Sequence, residues 1–191
     1  MEYVCDFSFL FDAEGKKIIK EASVVYVYTN SVGHWITSPP YLFRTLNLQL
    51  RRKNNKETLQ QHDLHWNDGE TELIELQDHL VQLLFDSTRI FVHGQVKHDI
   101  LKKLLPNHNN IINSAAFDCP LIRMFPNKQL SCVFHGAYAR NTDSSVCTLS
   151  RALNFHQYIT DNAKDFNLDL DLLKERNCNT KCVVVKLSTI T

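Results

Sequence analysis

The chain has 191 residues, enough for one domain with a full apolar core and no need of disulfide staples. Its 43% hydrophobic and 22% charged residues are those of an ordinary globular protein, with 21 basic residues balancing 21 acidic ones. That balance excludes a broadly basic nucleic-acid-binding surface but leaves room for a local basic patch. The first residues lack a basic segment followed by an apolar one, so no secretory leader is expected, and no apolar run approaches a membrane span. Six cysteines then read as reduced thiols, and the expected setting is the cytoplasm or nucleus, with no membrane partner.

Val4 to Phe11, rich in aromatic and apolar residues, predicts a first strand. Asp12-Ala-Glu-Gly15 supplies a turn, and Lys17 to Tyr28 resumes as a second, β-branched strand. A short third strand is expected at His34-Trp-Ile-Thr37, stopped by Pro39-Pro40. Tyr41 to Gln61 is irregular, and its basic run Arg51-Arg-Lys53 reads as a solvated loop. Asn67-Asp-Gly-Glu70 is expected to cap a helix carrying Leu73, Leu76, Leu80, Leu83 and Leu84 at helical spacing. Arg89 to His93 reads as a strand, which Gly94 releases into a helix from Val96 to Leu105 before Pro106. A further short strand is expected from Asn110 to Ala116. Ser144 or Ser145 would cap a helix from Val146 to about Ile159, and a last helical piece spans about Asp169 to Glu175. The Val-rich tail from Lys181 to Ile190 suits an edge strand. The order, an antiparallel meander followed by alternating helices and strands, predicts an α/β fold with a mixed sheet flanked by helices. Residues 1–160 would form this domain and 161–191 a C-terminal extension.

Cys132-Val-Phe-His135, with Cys147 at the head of the next helix pattern, carries most of the chemistry. Cys-x₂-His lets a thiolate and an imidazole meet one tetrahedral ion, and Cys147 is close enough to fold back as a third ligand. His62, His65 and Cys119 are candidates for the fourth, with His62 preferred because its loop has no other clear role. A set closed by four protein ligands would be a structural zinc site. Cys178-Asn-Thr-Lys-Cys182 reads as a turn with reduced thiols, and Cys5 and Cys119 as core residues. His34-Trp35 and His65-Trp66 each place an imidazole beside an indole. Trp35 and Trp66 can anchor the core, or they can stack bases of single-stranded nucleic acid beside phosphate contacts from Arg44, Arg51, Arg52 and Lys53. The chain contains no P-loop, dinucleotide fingerprint or nucleophile elbow, which argues against nucleotide-driven, dinucleotide-dependent or serine-hydrolase chemistry.

Three segments carry a family resemblance over roughly residues 3–160. Asp6-Phe-Ser-Phe-Leu-Phe11 with Gly15-Lys-Lys-Ile-Ile-Lys-Glu-Ala-Ser-Val-Val25, Phe91-Val-His-Gly-Gln-Val-Lys-His-Asp-Ile-Leu101, and Cys147-Thr-Leu-Ser-Arg-Ala-Leu153 resemble motifs of the RNase H-like DEDDh exonuclease superfamily. The resemblance implies an RNase H-like mixed sheet and, in active members, four carboxylates holding two divalent metals. Here Asp6 is kept, Ser8 stands where a Glu is expected, the second motif holds Lys97-His98-Asp99, and Cys147 replaces a late Asp. An active nuclease would need Mg²⁺ or Mn²⁺ on a rearranged set of Asp6, Asp99 and Asp143.

The Cys-x₂-His…Cys arrangement also resembles Maelstrom-type domains and related proteins of viruses and mobile elements. Those domains are RNase H-like, lack the exonuclease carboxylates and carry a Glu-Cys/His-His-Cys zinc pattern. His62-Asp-Leu-His-Trp66 and His93-Gly-Gln-Val-Lys97 loosely resemble further stretches of theirs. The expectation is a catalytically degenerate module that binds RNA or single-stranded nucleic acid and is stabilised by zinc. A module contacting another protein is the alternative expectation.

Overall fold

The computed structural model describes residues 1–29, 31–117, 119–120, 132, 135 and 147–178. Strand β1 (Glu2–Phe11) and strand β2 (Lys17–Tyr26) form the central hairpin, joined by the turn at Asp12, where the Gly15 amide donates to the Asp12 carbonyl. Strand β3 (Val32–Ile36) pairs antiparallel with β2. Strands β4 (Arg89–Val92) and β5 (Ile111–Asn113) add in parallel on the other side of β1. The result is an open five-stranded mixed sheet in the order β3-β2-β1-β4-β5. The meander forms because short turns can join only antiparallel strands, whereas β4 and β5 each follow a helical crossover.

Alternation along β1 separates the two faces of the sheet. Tyr3, Cys5 and Phe7 point to one face and meet helix α2 (Leu73–Leu84), whose Leu76, Leu80 and Leu84 are wholly buried. Helix α3 (Gln95–Leu104) adds Leu101 to the same core. Val4, Asp6 and Ser8 point to the other face, covered by helix α4 (Thr148–Asp161) through Ala152, Phe155 and Ile159. The chain continues into this second core through Ala163, Phe166 and Leu168, and the Arg89 guanidinium donates to the Phe166 and Asn167 carbonyls. A short helix α5 (Leu170–Cys178) follows.

One irregularity positions the site. Pairing between β1 and β2 shifts after Ser8, so Glu21 faces Ser8, Ile19 faces Phe9, and Lys20 has no partner on β1. Such a bulge re-aims side chains. The Lys20 ammonium turns to the Thr37, Trp66 and Asp68 carbonyls at 2.8, 2.9 and 2.5 Å. Glu21 is left pointing into the α4 face.

Three sequence expectations are corrected. Arg51-Arg-Lys53 lies on helix α1 (Leu48–Glu57) rather than in a loop. Asn47 caps that helix through the Leu50 amide at 2.9 Å. Asn54 fixes it to β1 by pairing with both the amide and carbonyl of Phe11, at 2.7 and 2.9 Å. The Asn67–Glu70 stretch makes a turn instead of a cap; α2 begins only at Leu73, with Glu72 in the cap position. The third concerns β5, which is just three residues long before the chain closes into a 3₁₀ turn at Ser114–Phe117. Asp143, Ser144, Ser145 and the 181–190 tail lie outside the described residues. Among the described residues no helix is long and apolar enough to cross a membrane.

Two positions on α2 test this packing. Leu80→Ala, wholly buried, should lower unfolding free energy by about 2–5 kcal/mol. Ile74→Ala, 62% exposed on the same helix, should change it by less than about 0.5 kcal/mol. Urea denaturation of the two variants measures both, and equal effects would contradict the packing described.

Candidate metal centre

The α4 face of the sheet changes character along its length. At one end it is apolar, around Val4, Val25 and Phe91; toward the N-terminus of α4 it carries Glu21, His34, Asp6 and Ser8. Glu21 is the centre of this polar end and is fully buried. One carboxylate oxygen receives His34 Nε2 at 2.9 Å and lies 3.5 Å from Cys147 Sγ and 3.6 Å from His135 Nδ1. The other accepts the Thr148 amide at 3.1 Å. Glu21 therefore serves as the cap of α4 in place of Cys147, whose backbone occupies the cap position but whose side chain makes no capping bond.

Ligand atoms of Glu21, His34, Cys132 and Cys147 all lie within 4.8 Å of one another, a spacing that can hold a metal ion. His135 is a fifth donor beside them, with Nδ1 3.0 Å from Cys132 Sγ. Its Nε2 donates to the His62 carbonyl at 2.8 Å. A backbone carbonyl on the far nitrogen fixes the tautomer and leaves Nδ1 free to ligate, the usual support of a metal-bound histidine.

The ionisable groups of this cluster share protons among themselves. The hydrogen bond from Cys132 holds the Cys147 thiol far below the usual thiol range, with His135 and His34 adding to the effect. The same bond pushes the Cys132 thiol up, so the pair shares one proton. Burial acts to lower the pKa values of His34 and His135, but bonding to the Cys147 sulfur and the neighbouring Glu21 charge carry both up to about 9. Burial and Cys147 raise Glu21. A thiolate at a helix N-terminus between two imidazoles also resembles an activated nucleophile. Cys147 is 0% exposed, so no substrate can reach it.

The group contains two of the four sequence-predicted ligands, Cys132 and Cys147; His135 stands beside it, and Glu21 and His34 make up the rest. His62 is not in the group. Its ring accepts the Leu64 amide and bonds the Phe9 carbonyl, and burial holds its pKa at about 4. What His62 contributes is its carbonyl, placed by the turn at Thr58–His62. His65 is exposed, and Cys119 packs with Phe91 and Phe155 in the apolar part of this face. Glu21 and His34 were missed. The signal for Glu21 was a carboxylate in the middle of a strand otherwise fit for burial, and His34 stands on the neighbouring strand two pairs away from it, on the same face.

The other predicted site residues are dispersed. Asp6, 1% exposed, is clamped by the Lys97 ammonium and by Arg151 Nε at 2.7 Å, and Arg151 also donates to Ser8 Oγ at 2.8 Å. Asp99 lies two residues from Lys97, so it turns to the opposite side of α3, where it is exposed and accepts from Gln95 at 2.7 Å. The expected set of Asp6, Asp99 and Asp143 is thus not assembled by the described residues. Trp35 packs in the α2 core, and Trp66 packs against Tyr41 and Phe43 with its indole N–H on the Tyr41 carbonyl. At 7% and 5% exposure neither offers a face to a base, which corrects the stacking role. Arg52 and Lys53 are exposed on α1, Arg51 is half-buried, and the Lys53 ammonium sits 3.4 Å from the Phe11 ring centre.

Comparison of the chain with protein-family models, curated proteins and solved structures finds no match.

Metal uptake should follow the imidazole protons. Coordination needs neutral His and ionised Cys, so binding must displace protons. With His34 and His135 near 9, affinity for a divalent ion should rise with pH from 6 toward 9, with protons released at neutral pH. Calorimetric titration in buffers of different ionisation enthalpy measures the release, and a pH-independent affinity would contradict the assignment.

Proposed function

We propose that the chain is an RNase H-like module that binds RNA or single-stranded DNA without cleaving it and is held together by a structural zinc ion. The fold reading is supported by the strand order β3-β2-β1-β4-β5, with the first three strands antiparallel and the last two parallel. Zinc fits the donors: two sulfurs, imidazole nitrogen and a carboxylate suit a borderline-soft tetrahedral ion and do not suit Mg²⁺ or Ca²⁺. Glu21, Cys132 and Cys147 are buried and the His34 side chain is only 13% exposed, which supports a structural part for the ion.

The observation that carries the non-cleaving reading is the state of Asp6. A carboxylate in a two-metal nuclease must face cations from solution. Here it faces Lys97 and Arg151, and its strand neighbour is Ser8 in place of a second carboxylate. Binding is supported by Arg44, Arg52, Lys53 and Lys56, all exposed in a stretch, residues 43–56, that has no acidic residue. A patch of this kind acts on the phosphate backbone without reading sequence.

Two experiments test these readings. Purified protein should contain one zinc per chain by elemental analysis, and Cys132→Ser/Cys147→Ser should lose it together with most of the thermal stability. A fully folded metal-free preparation would refute the zinc reading. Labelled single-stranded RNA should bind with an affinity that falls as salt rises, weaken with Arg52→Gln/Lys53→Gln, and stay intact in Mn²⁺. Degradation in Mn²⁺ that Asp6→Ala abolishes would select an active nuclease instead, and absence of binding would leave a protein-contacting module.

A further inference from the structure

The metal centre offers one donor more than a tetrahedral ion takes. Glu21, His34, Cys132 and Cys147 form one set of four, their ligand atoms within 4.8 Å of one another. His135 Nδ1 stands 3.0 Å from Cys132 Sγ and 3.6 Å from a Glu21 carboxylate oxygen. Exchanging His34 for His135 therefore gives a second set built on the same three partners. Only the imidazole differs between the two.

The two imidazoles are held in different ways. His135 has its far nitrogen on the His62 carbonyl at 2.8 Å, and 4% of its side chain reaches solvent. His34 projects from β3, an edge strand of the described sheet, and 13% of its side chain is exposed. The imidazole that is not on the ion keeps a partner inside the cluster: His34 has the Glu21 carboxylate at 2.9 Å, and His135 has the Cys132 sulfur. Exchange of one for the other therefore strands neither ring in a buried place without a hydrogen bond.

We propose that His34 and His135 are alternative ligands of one zinc ion, with Glu21, Cys132 and Cys147 common to both states, and that His34 is the donor through which the ion enters and leaves. The proposal rests on the zinc reading given above and adds how a buried site exchanges its ion. His34 stands nearest the solvent and meets an arriving ion first. His135, tethered at its far nitrogen, then completes the shell as His34 returns to Glu21. One metal–nitrogen bond forms as the other breaks, so four protein ligands hold the ion in either state.

Zinc and Co²⁺ titrations of the full chain, with a chromogenic chelator as competitor, test it. Wild type is expected to hold one ion per chain. His34→Ala and His135→Ala should each still hold one, with affinity lower by about 10- to 100-fold, the cost of losing an outer-shell partner. Each should also keep the Co²⁺ absorption of a four-coordinate thiolate site. The double variant His34→Ala/His135→Ala should lose more affinity than the product of the two single losses. Zinc in His135→Ala, held by the exposed imidazole, should pass to excess chelator faster than zinc in His34→Ala. His34→Gln and His135→Gln should repeat the pattern, and failure of both variants at either position to fold would overturn the proposal. A single variant as empty as the double one, losses that merely multiply, or release in the reverse order would overturn the exchange and leave the zinc reading standing. A folded, metal-free wild type would overturn both.

Discussion

A carboxylate with no access to water has to be answered by the protein around it, and Glu21 is that carboxylate. Its burial would be prohibitive alone. The chain answers with His34 from β3, the Thr148 amide and Cys147 from the head of α4, and His135 from a segment far away in sequence. Each of these elements is held in place by the need to meet one group. The bulge at Lys20 sets the direction in which Glu21 points, so local backbone irregularity decides where the centre forms.

Two polar clusters share the α4 face and solve the same electrostatic problem differently. Around Glu21 the donors are soft and mixed and their protons are shared, with His34 and His135 set against the Cys147 sulfur and Glu21. Around Asp6 the balance is already completed by Lys97 and Arg151. Arg151 stands between the two, one helical turn from Cys147, and its positive charge is favoured by Asp6, Glu21 and Cys147 together. A change of charge in the first cluster would therefore be felt in the second through this side chain. The two are parts of one electrostatic unit.

Much of this was legible in the residues themselves. The strands, α2 and α3 follow from apolar periodicity, since β1 alternates and Leu76, Leu80 and Leu84 repeat at helical spacing. Cys132 and Cys147 could be singled out from the Cys-x₂-His…Cys spacing, and both fall in the group that can hold a metal. Glu21 and His34 could not, because their role depends on strand register, and the register depends on a one-residue bulge that no periodicity reports. His62 misled for a related reason: a histidine near a metal motif looks like a ligand, whereas here its backbone carbonyl does the orienting. Helix α1 was hidden by a polar sequence whose helical state is settled by two asparagines, one capping it and one tying it to β1. The tryptophans show the opposite case, in which the plain reading as core anchors was right.

The turn at Gly69 has a bearing on association between copies. Its φ is +98° and a Cβ there would lie 2.4 Å from the Thr37 carbonyl oxygen, so glycine alone fits. That close approach lets residues 70 and 71 hydrogen-bond to the Ile36 carbonyl and Thr71 bridge to Thr37, closing one end of the edge strand β3. At the far side of the sheet β5 offers only three residues. Among the described residues one rim is thus short and the other is closed at one end, and a side chain at position 69 would unseal that end. The cost of losing that glycine would be felt as aggregation as well as instability.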